Sequence, residues 1–235
     1  MCGIFCAIGR EAPLKPSPEL QKLLQQRGPD SHGKREDSIK GQQDNSTPLY
    51  VTFYSTVLSM RGDAAIIQPY QDGLSASTLC WNGEAWSIAT VATHGNDTEQ
   101  IFNLLSHACQ HPVDATSREI EARMRLDTIS KALSTIAGPY AFVFHDARSQ
   151  MLFFGRDFLG RRSLLLKVTE GGDVLISSVT DPSSSNAWAE VEADDVYSLD
   201  LLASTVHPSL VIYQTSHVFH EDGVSTQSSV GLDIA

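Results

Sequence analysis

The sequence of 235 residues has only four cysteines, Cys2, Cys6, Cys80 and Cys109, and no CxxC pair. Neither a disulfide framework nor a CxxC-type zinc site is therefore expected. It has no run of Lys and Arg, and its formal net charge is −11. Nucleic-acid affinity rests on clustered cations, so no nucleic-acid partner is expected. No apolar run approaches the ~18–20 residues that span a bilayer, so no membrane partner is expected either. The N-terminus, MCGIFCAIG, is apolar but lacks a basic leader and a cleavage site, and it does not read as a signal peptide. The expectation is a soluble, cytoplasmic protein. A hydrophobic content of 41% against 19% charged residues describes a globular chain long enough to bury a sizeable core. Its acidity is uneven: from Arg161 to Ala235 there are three basic and eleven acidic residues, which reads as a solvated acidic face.

Hydrophobic periodicity predicts the elements. Residues Ile4–Ile8 are almost wholly apolar, as in a strand buried on both faces. Ser17-Pro18-Glu19 supplies a cap, a first-turn proline and an acid for a helix carrying Leu20, Leu23 and Leu24. Residues Arg27–Ser46 are polar and read as a long loop. Tyr50–Leu58 predicts a strand, and Leu79–Trp81 a strand end that runs into an Asn82-Gly83 turn. Asn96 with Glu99 forms a capping-box pattern before a helix, and a second helix is expected over Ser117–Ile136. Tyr140–His145 and Met151–Gly155 predict a hairpin, followed by strands at Ser163–Val168, Val174–Ser177 and Val196–Leu199. Strands, two helices, then strands, with both sheet faces apolar, fit an α+β domain of two stacked sheets flanked by helices. The domain is expected over residues 1–202, with 203–235 as a linker or tail.

The chemistry begins at Met1-Cys2-Gly3. Removal of Met1 places a thiol (reference pKa ~8.5) and an α-amine (~7.7–8.0) on one residue, so a nucleophile and its base are joined by covalent geometry. Four motifs follow in order: RGPDS at Arg27–Ser31, a lone Arg61 before Gly62, Trp81-Asn82-Gly83-Glu84, and Asn96-Asp97-Thr98-Glu99. Gly155-Arg-Asp-Phe-Leu-Gly160-Arg-Arg-Ser163 comes later. Each has an ordinary structural reading. Asn82-Gly83 is a turn signal, and Asp97 suits a helix start. Arg27 and Asp30 fix a loop, Arg156 and Asp157 are structural, and Cys6, Cys80 and Cys109 are small core residues. His107 and His111 have the spacing of a metal pair but no third ligand nearby, so no metal site is expected.

In this order, the motifs resemble the class II glutamine amidotransferases of the N-terminal-nucleophile fold. The later RDFLGRRS segment resembles the RD-x-x-G turn of asparagine synthetases, and together with WNGE it is similar to asparagine-synthetase-domain-containing proteins. The resemblance covers about residues Met1–Leu202 and implies a four-layer αββα sandwich with two mostly antiparallel sheets. It implies glutamine as substrate and Cys2 as nucleophile. The side chain of Asn82 and the backbone N–H of Gly83 form the oxyanion hole, with glycine leaving room for the substrate oxygen. Arg61, Glu84 and Asp97 bind substrate: Arg61 takes the α-carboxylate and Asp97 the α-ammonium, which together select a free amino acid. Gly62 and Asp63 depart from the family pattern. Gly62 is expected to loosen the pocket, and Asp63 to compete with the substrate carboxylate for Arg61. The family's ATP-binding SGGxDS loop is missing, and Gly171-Gly172 is no match. No cofactor is expected in this chain, because ATP and Mg²⁺ belong to a synthetase domain or subunit that would use the ammonia. Two other readings are a catalytically silent glutamine- or protein-binding module, and an amide hydrolase of the same fold with another substrate.

Overall fold

The computed structural model describes residues 1–41, 46–62, 64–110, 112–180, 188–193, 195–206 and 210–216. Asp63, His111 and most of the expected tail (217–235) lie outside the described residues, so the expectations attached to them do too. In chain order the elements are β1 Gly3–Gly9, α1 Pro18–Arg27, β2 Ser31–Ile39, β3 Leu49–Val57, β4 Thr78–Gly83, β5 Ser87–Ile88, β6 Val91–Ala92, α2 Thr98–Gln110, α3 Arg118–Leu133, β7 Ile136–Ala137, β8 Tyr140–Asp146, β9 Met151–Arg156, β10 Leu165–Val168, β11 Val174–Ser177, β12 Ala189–Glu190, β13 Asp195–Asp200 and β14 Val211–Ser216. One antiparallel sheet runs β12-β10-β11-β1-β3-β2 and a second β14-β13-β9-β8-β4; three short strands form a third, β6-β5-β7.

Alternation along β1 builds the layers. Ile4, Cys6 and Ile8 point into the space between the two large sheets, where they meet Val143, Leu152 and Phe154. Phe5 and Ala7 point the other way, onto Leu20 and Leu24 of α1. Beyond the second sheet, Trp81, Phe142, Phe144 and Phe153 pack on Ile101, Phe102 and Leu105 of α2 and on Leu126, Ile129 and Leu133 of α3. The order is helix, sheet, sheet, helices: an α+β sandwich of four layers, with both faces of each large sheet covered. Ser17 caps α1 by accepting from the Leu20 N–H at 3.2 Å. Ser117 caps α3 in the same way through Ile120.

Three expectations are corrected. The segment 27–46 is not one long loop. It contains β2, paired with β3 from Ser31↔Val57 to Ile39↔Leu49. Its side chains are polar because it is an edge strand whose outer residues face water, and its ion pairs Lys34–Glu36 and Arg35–Asp37 run along the strand. Charged edge strands of this kind resist pairing with a second molecule. Secondly, Asn82-Gly83 is not a hairpin turn. Strand β4 continues through both residues, with Gly83 opposite Tyr140 of β8. Its pairing partner lies far along the chain, which local turn statistics do not register. Finally, the boundary expected at Leu202 falls inside the second sheet. After a 3₁₀ turn at Ala203–Thr205, β14 adds to the edge at β13, from Asp200↔Val211 to Asp195↔Ser216. Ile212 and Tyr213 of β14 point to opposite faces, Ile212 into the space between the sheets and Tyr213 towards the helices, and both are buried.

Candidate active site

Strand β1 begins at the mouth of a cleft whose walls include Met1, Cys2, Leu58, Arg61, Asn82 and Asp97. Glycine follows the cysteine because Thr56 stands against the strand. The Thr56 Oγ1 accepts from the Gly3 N–H at 3.1 Å and donates to the Leu24 carbonyl at 2.6 Å, and a Cβ on Gly3 would come within 2.4 Å of it. This contact anchors the backbone one residue beyond the thiol. Arg27, at the end of α1, anchors it from the other side: its Nε donates to the Cys2 carbonyl at 3.3 Å, and Nη1 to Ser163 Oγ and to the Ser178 carbonyl. The Cys2 thiol itself makes a weak contact with the Leu58 carbonyl, S···O 3.9 Å. Burial pushes the thiol's pKa up, chiefly by desolvation. The α-amine, here on Met1, is pushed down, again chiefly by burial, with Arg27 and Arg162 adding to the effect.

The second sheet supplies the opposite wall. Asn82 is buried, and its Nδ2 has no hydrogen-bond acceptor, so an amide donor stands unpaired in the cleft. Next to it, Gly83 is required by packing. A Cβ there would lie 2.6 Å from the Trp81 ring and 2.8 Å from the Tyr140 Cβ. The expected reason for this glycine was room for a substrate oxygen; the structure gives the more immediate one, space for the indole. Trp81 stacks on Tyr140 with ring centroids 5.2 Å apart and reaches Asp97.

Asp97 stands just before α2. Its Oδ2 accepts from the Trp81 Nε1–H at 3.2 Å and the Ala85 N–H at 2.6 Å. Burial nevertheless pushes its pKa up, against these bonds. The backbone carbonyl of Asp97 accepts from Ile101, while the cap on Thr98 N comes from Asn96 Oδ1 at 2.9 Å. The helix start therefore fixes the backbone and leaves the Asp97 carboxylate to the cleft.

Arg61 is held end-on. Its Nη1 donates to the Ala85 carbonyl at 2.8 Å and Thr93 Oγ1 at 3.0 Å, and Nη2 to the Thr93 carbonyl at 3.4 Å. Both Nη1 hydrogens are used. The Nε/Nη2 edge, the fork that grips carboxylates, remains, and Glu84 Oε1 lies 3.9 Å from Nε. Glu84 is therefore Arg61's counter-ion. Gly62 has φ +79°, a left-handed backbone conformation that turns the chain away directly after Arg61 and that glycine adopts without strain.

All six expected site residues, Cys2, Arg61, Asn82, Gly83, Glu84 and Asp97, line this one cleft. Sequence reasoning placed Arg27 as a loop residue and missed Thr93 and Arg162. Arg27 was visible in its RGPD motif, but its bond to the Cys2 carbonyl joins residues 25 positions apart. Asp157 has the structural role expected of it: it accepts from the backbone of Tyr140, Leu159 and Arg161 and from the Arg161 side chain. Arg156 pairs with Glu190. Among the described residues, no cluster of three or more His, Cys, Asp or Glu side chains is arranged to hold a metal ion, and no helix is long and apolar enough to cross a membrane.

Residues 1–220 match the family model of the glutamine amidotransferase domain. The chain belongs to that family. Human asparagine synthetase domain-containing protein 1 is 30% identical to this amidotransferase domain, over 100% of the chain and 34% of its own length. The bovine protein of the same name is 33% identical, over 90% of the chain and 30% of its own length. The chain thus spans about a third of these relatives. A solved structure described as the allosteric regulatory enzyme of purine biosynthesis shares the fold, with TM-score 0.55 and 17% identity over 84% of this amidotransferase domain and 47% of that chain.

Proposed function

We propose that this domain hydrolyses glutamine to glutamate and ammonia through a thioester on Cys2, once Met1 has been removed, and that it does so in the cytoplasm for a synthetase domain or subunit. The observation that carries the reading is one cleft holding a thiol, an unpaired buried amide donor, a guanidinium whose Nε meets a carboxylate only at the long Glu84 contact of 3.9 Å, and a buried carboxylate.

Their chemistry is complementary to a free amino acid with an amide side chain. The α-carboxylate takes the Nε/Nη2 edge of Arg61 and displaces Glu84. The α-ammonium takes the free oxygen of Asp97, and the displaced Glu84 remains close enough to share that charge. The Cys2 sulfur attacks the side-chain amide carbon while its proton passes to the Cys2 amine. The oxyanion accepts from Asn82 Nδ2 and the Gly83 N–H, donors fixed before the charge develops. The carbon–nitrogen bond breaks, the amine returns its proton, and ammonia leaves. Water then adds to the thioester carbonyl, glutamate departs and the thiol is restored. ATP and Mg²⁺ serve the synthetase step and bind in that other domain.

The test uses purified chain lacking Met1. Glutamate release that disappears in Cys2→Ala, with the circular dichroism spectrum unchanged, is expected. Hydrolysis that survives the substitution would sink the reading. The Arg61–Glu84 contact favours one second reading, a silent module in which Glu84 keeps the carboxylate fork closed. That module leaves Cys2 unlabelled by a glutamine-analogue electrophile, whereas one adduct per chain at Cys2 rejects it.

A further inference from the structure

The RDFLGRRS turn carries two adjacent arginines with opposite surroundings. Arg161 is fully engaged: it bonds Asp157 at 2.8 Å and the Gly138 carbonyl at 2.7 Å, and its guanidinium lies over the Trp86 ring. Arg162 turns into the cleft that holds Met1 and Cys2. Its Nε is buried with no acceptor, and no ion pair to a described residue neutralises it. A buried Nε–H with no acceptor carries an uncompensated desolvation cost. Among the described residues no ion pair accounts for that placement, but an effect on the groups beside it does.

We infer that Arg162, together with Arg27, is a positioning residue that keeps the N-terminal amine in its neutral, proton-accepting form beside the Cys2 thiol. The inference rests on the proposed thioester chemistry. Three elements bring charge to this amine. Arg27 comes from the end of α1 and is anchored by its bonds to the Cys2 and Ser178 carbonyls. Arg162 comes from the turn before β10. The third group, Asp30, stands just before β2 and opposes them, but its Oδ2 is already occupied by the Ser59 N–H at 2.7 Å. Asp97 lines the same cleft and acts on the thiol, whose pKa it raises, while Arg61 and Glu84 pair with each other. The amine's pKa is lowered by burial first; the Cys2 thiol beside it raises it, Arg27 and Arg162 lower it again, and Asp30 opposes them least. Loss of Met1 places the amine on Cys2, the residue whose carbonyl accepts from Arg27 Nε at 3.3 Å and which shares its cleft with Arg162. The arginines repel each other, and Arg162 counts among the causes that lower the Arg27 pKa, after burial. Fixed bonds on Arg27 therefore hold the pair together.

The experiment compares the full chain lacking Met1 with Arg162→Met and Arg162→Lys. The N-terminal amine is titrated by competitive labelling with trace acetic anhydride, read by peptide mass across the neutral range, and kcat/KM for glutamine is measured over the same pH values. In Arg162→Met the labelling midpoint and the acid limb of kcat/KM are both expected to rise by about 0.5–1 pH unit, the effect of removing a nearby like charge. Arg162→Lys is expected to stay with the wild type. An unmoved midpoint in Arg162→Met overturns the inference, as does a rise in KM with the limb unmoved, which would make Arg162 a substrate contact. Arg162→Gln repeats the test if the Met variant misfolds. A midpoint that moves in a chain that hydrolyses no glutamine would uphold the electrostatic role and reject the glutaminase reading, so the two fail separately.

Discussion

Trp81 donates its indole N–H to Asp97 Oδ2 at 3.2 Å, and its ring fills the space that a side chain on Gly83 would need. A packing constraint in β4 and a charge before α2 are thereby one unit. The strand that presents the unpaired Asn82 amide also orients the carboxylate on the far side of the cleft.

Gly83→Ala tests that unit. The added methyl meets the indole and Tyr140, and overpacking of this kind costs about 1–3 kcal/mol. Urea denaturation is expected to show that loss. Glutamine turnover is expected to fall further than stability does, because the ring cannot shift without moving Asp97. Trp81→Phe keeps the stacking and drops only the indole donor, so it is expected to raise KM more than it lowers stability. Full activity in both variants would separate Asp97 from Trp81.

Asp97→Asn is expected to move activity and stability in opposite directions. The amide oxygen still accepts from Trp81 and Ala85, but the charge for the substrate ammonium is gone. Losing a charged hydrogen bond of about 1.5–3 kcal/mol raises KM by roughly 10–100-fold. Burial raises the folded pKa of Asp97. The folded state therefore holds this proton more tightly than the unfolded chain, and the ionised form opposes folding at neutral pH. Removing the charge is expected to leave the thermal midpoint equal or higher. A lower midpoint with KM unchanged would make Asp97 a structural cap only.

The same linkage gives His145 the opposite pH dependence. It is buried between the sheets, stacked on Phe53, with Gln150 on Nε2 and no partner on Nδ1. Burial lowers its pKa, although Asp37 and Asp146 favour the charged form; Arg35 opposes it. The unfolded chain binds the proton near pH ~6.5 and the folded chain only below that. The contribution of His145 to stability is thus complete above that value and is lost as pH falls through the window beneath it, at up to about 1.4 kcal/mol per unit. Denaturation curves across this window are expected to be flatter for His145→Gln than for wild type. Parallel curves would place the acid sensitivity elsewhere.

The layers were legible because β1, β8 and β9 are largely apolar on both faces, as the strands of a covered sheet are. The site was legible because its residues sit in short ordered motifs. What stayed hidden depends on partners distant in sequence. Strand β2 reads as loop because an edge strand needs only one ladder and keeps its polar side chains. Asn82-Gly83 reads as a turn until Tyr140 is known to lie opposite. Thr93 carries no motif, and its role at Arg61 comes from the fold alone. Gly62 reads as a departure from the family pattern next to Arg61, and its φ of +79° is a backbone reason for glycine that the sequence does not display.

The last strand gives a sharp test of where the fold ends. Arg118 on α3 grips Asp200 at the end of β13 through two bonds of 2.8 and 3.0 Å, and Asp200 is fully buried. The Asp200 carboxylate also accepts from the Ala203 N–H at 2.9 Å, and its carbonyl accepts from Ser204 Oγ. Ser204 Oγ in turn accepts from the Val211 N–H, which starts β14. Residues beyond Leu202 therefore complete the environment of a buried charge and cover the open edge of β13. A chain cut after Leu202 loses the Ala203 donor, the Ser204 bonds and the apolar side chains of Ile212 and Tyr213 together. It is expected to be insoluble or to unfold at much lower urea, while a chain cut after Ser216 is expected to match the full chain. Arg118→Met isolates the charge from the strand: it leaves β14 in place and Asp200 without its cation, which costs about 3–5 kcal/mol for a fully buried pair and less here, because Arg118 is partly exposed. If the Leu202 truncation melts with the wild type, the sheet closes without β14 and the domain ends earlier than the structure implies.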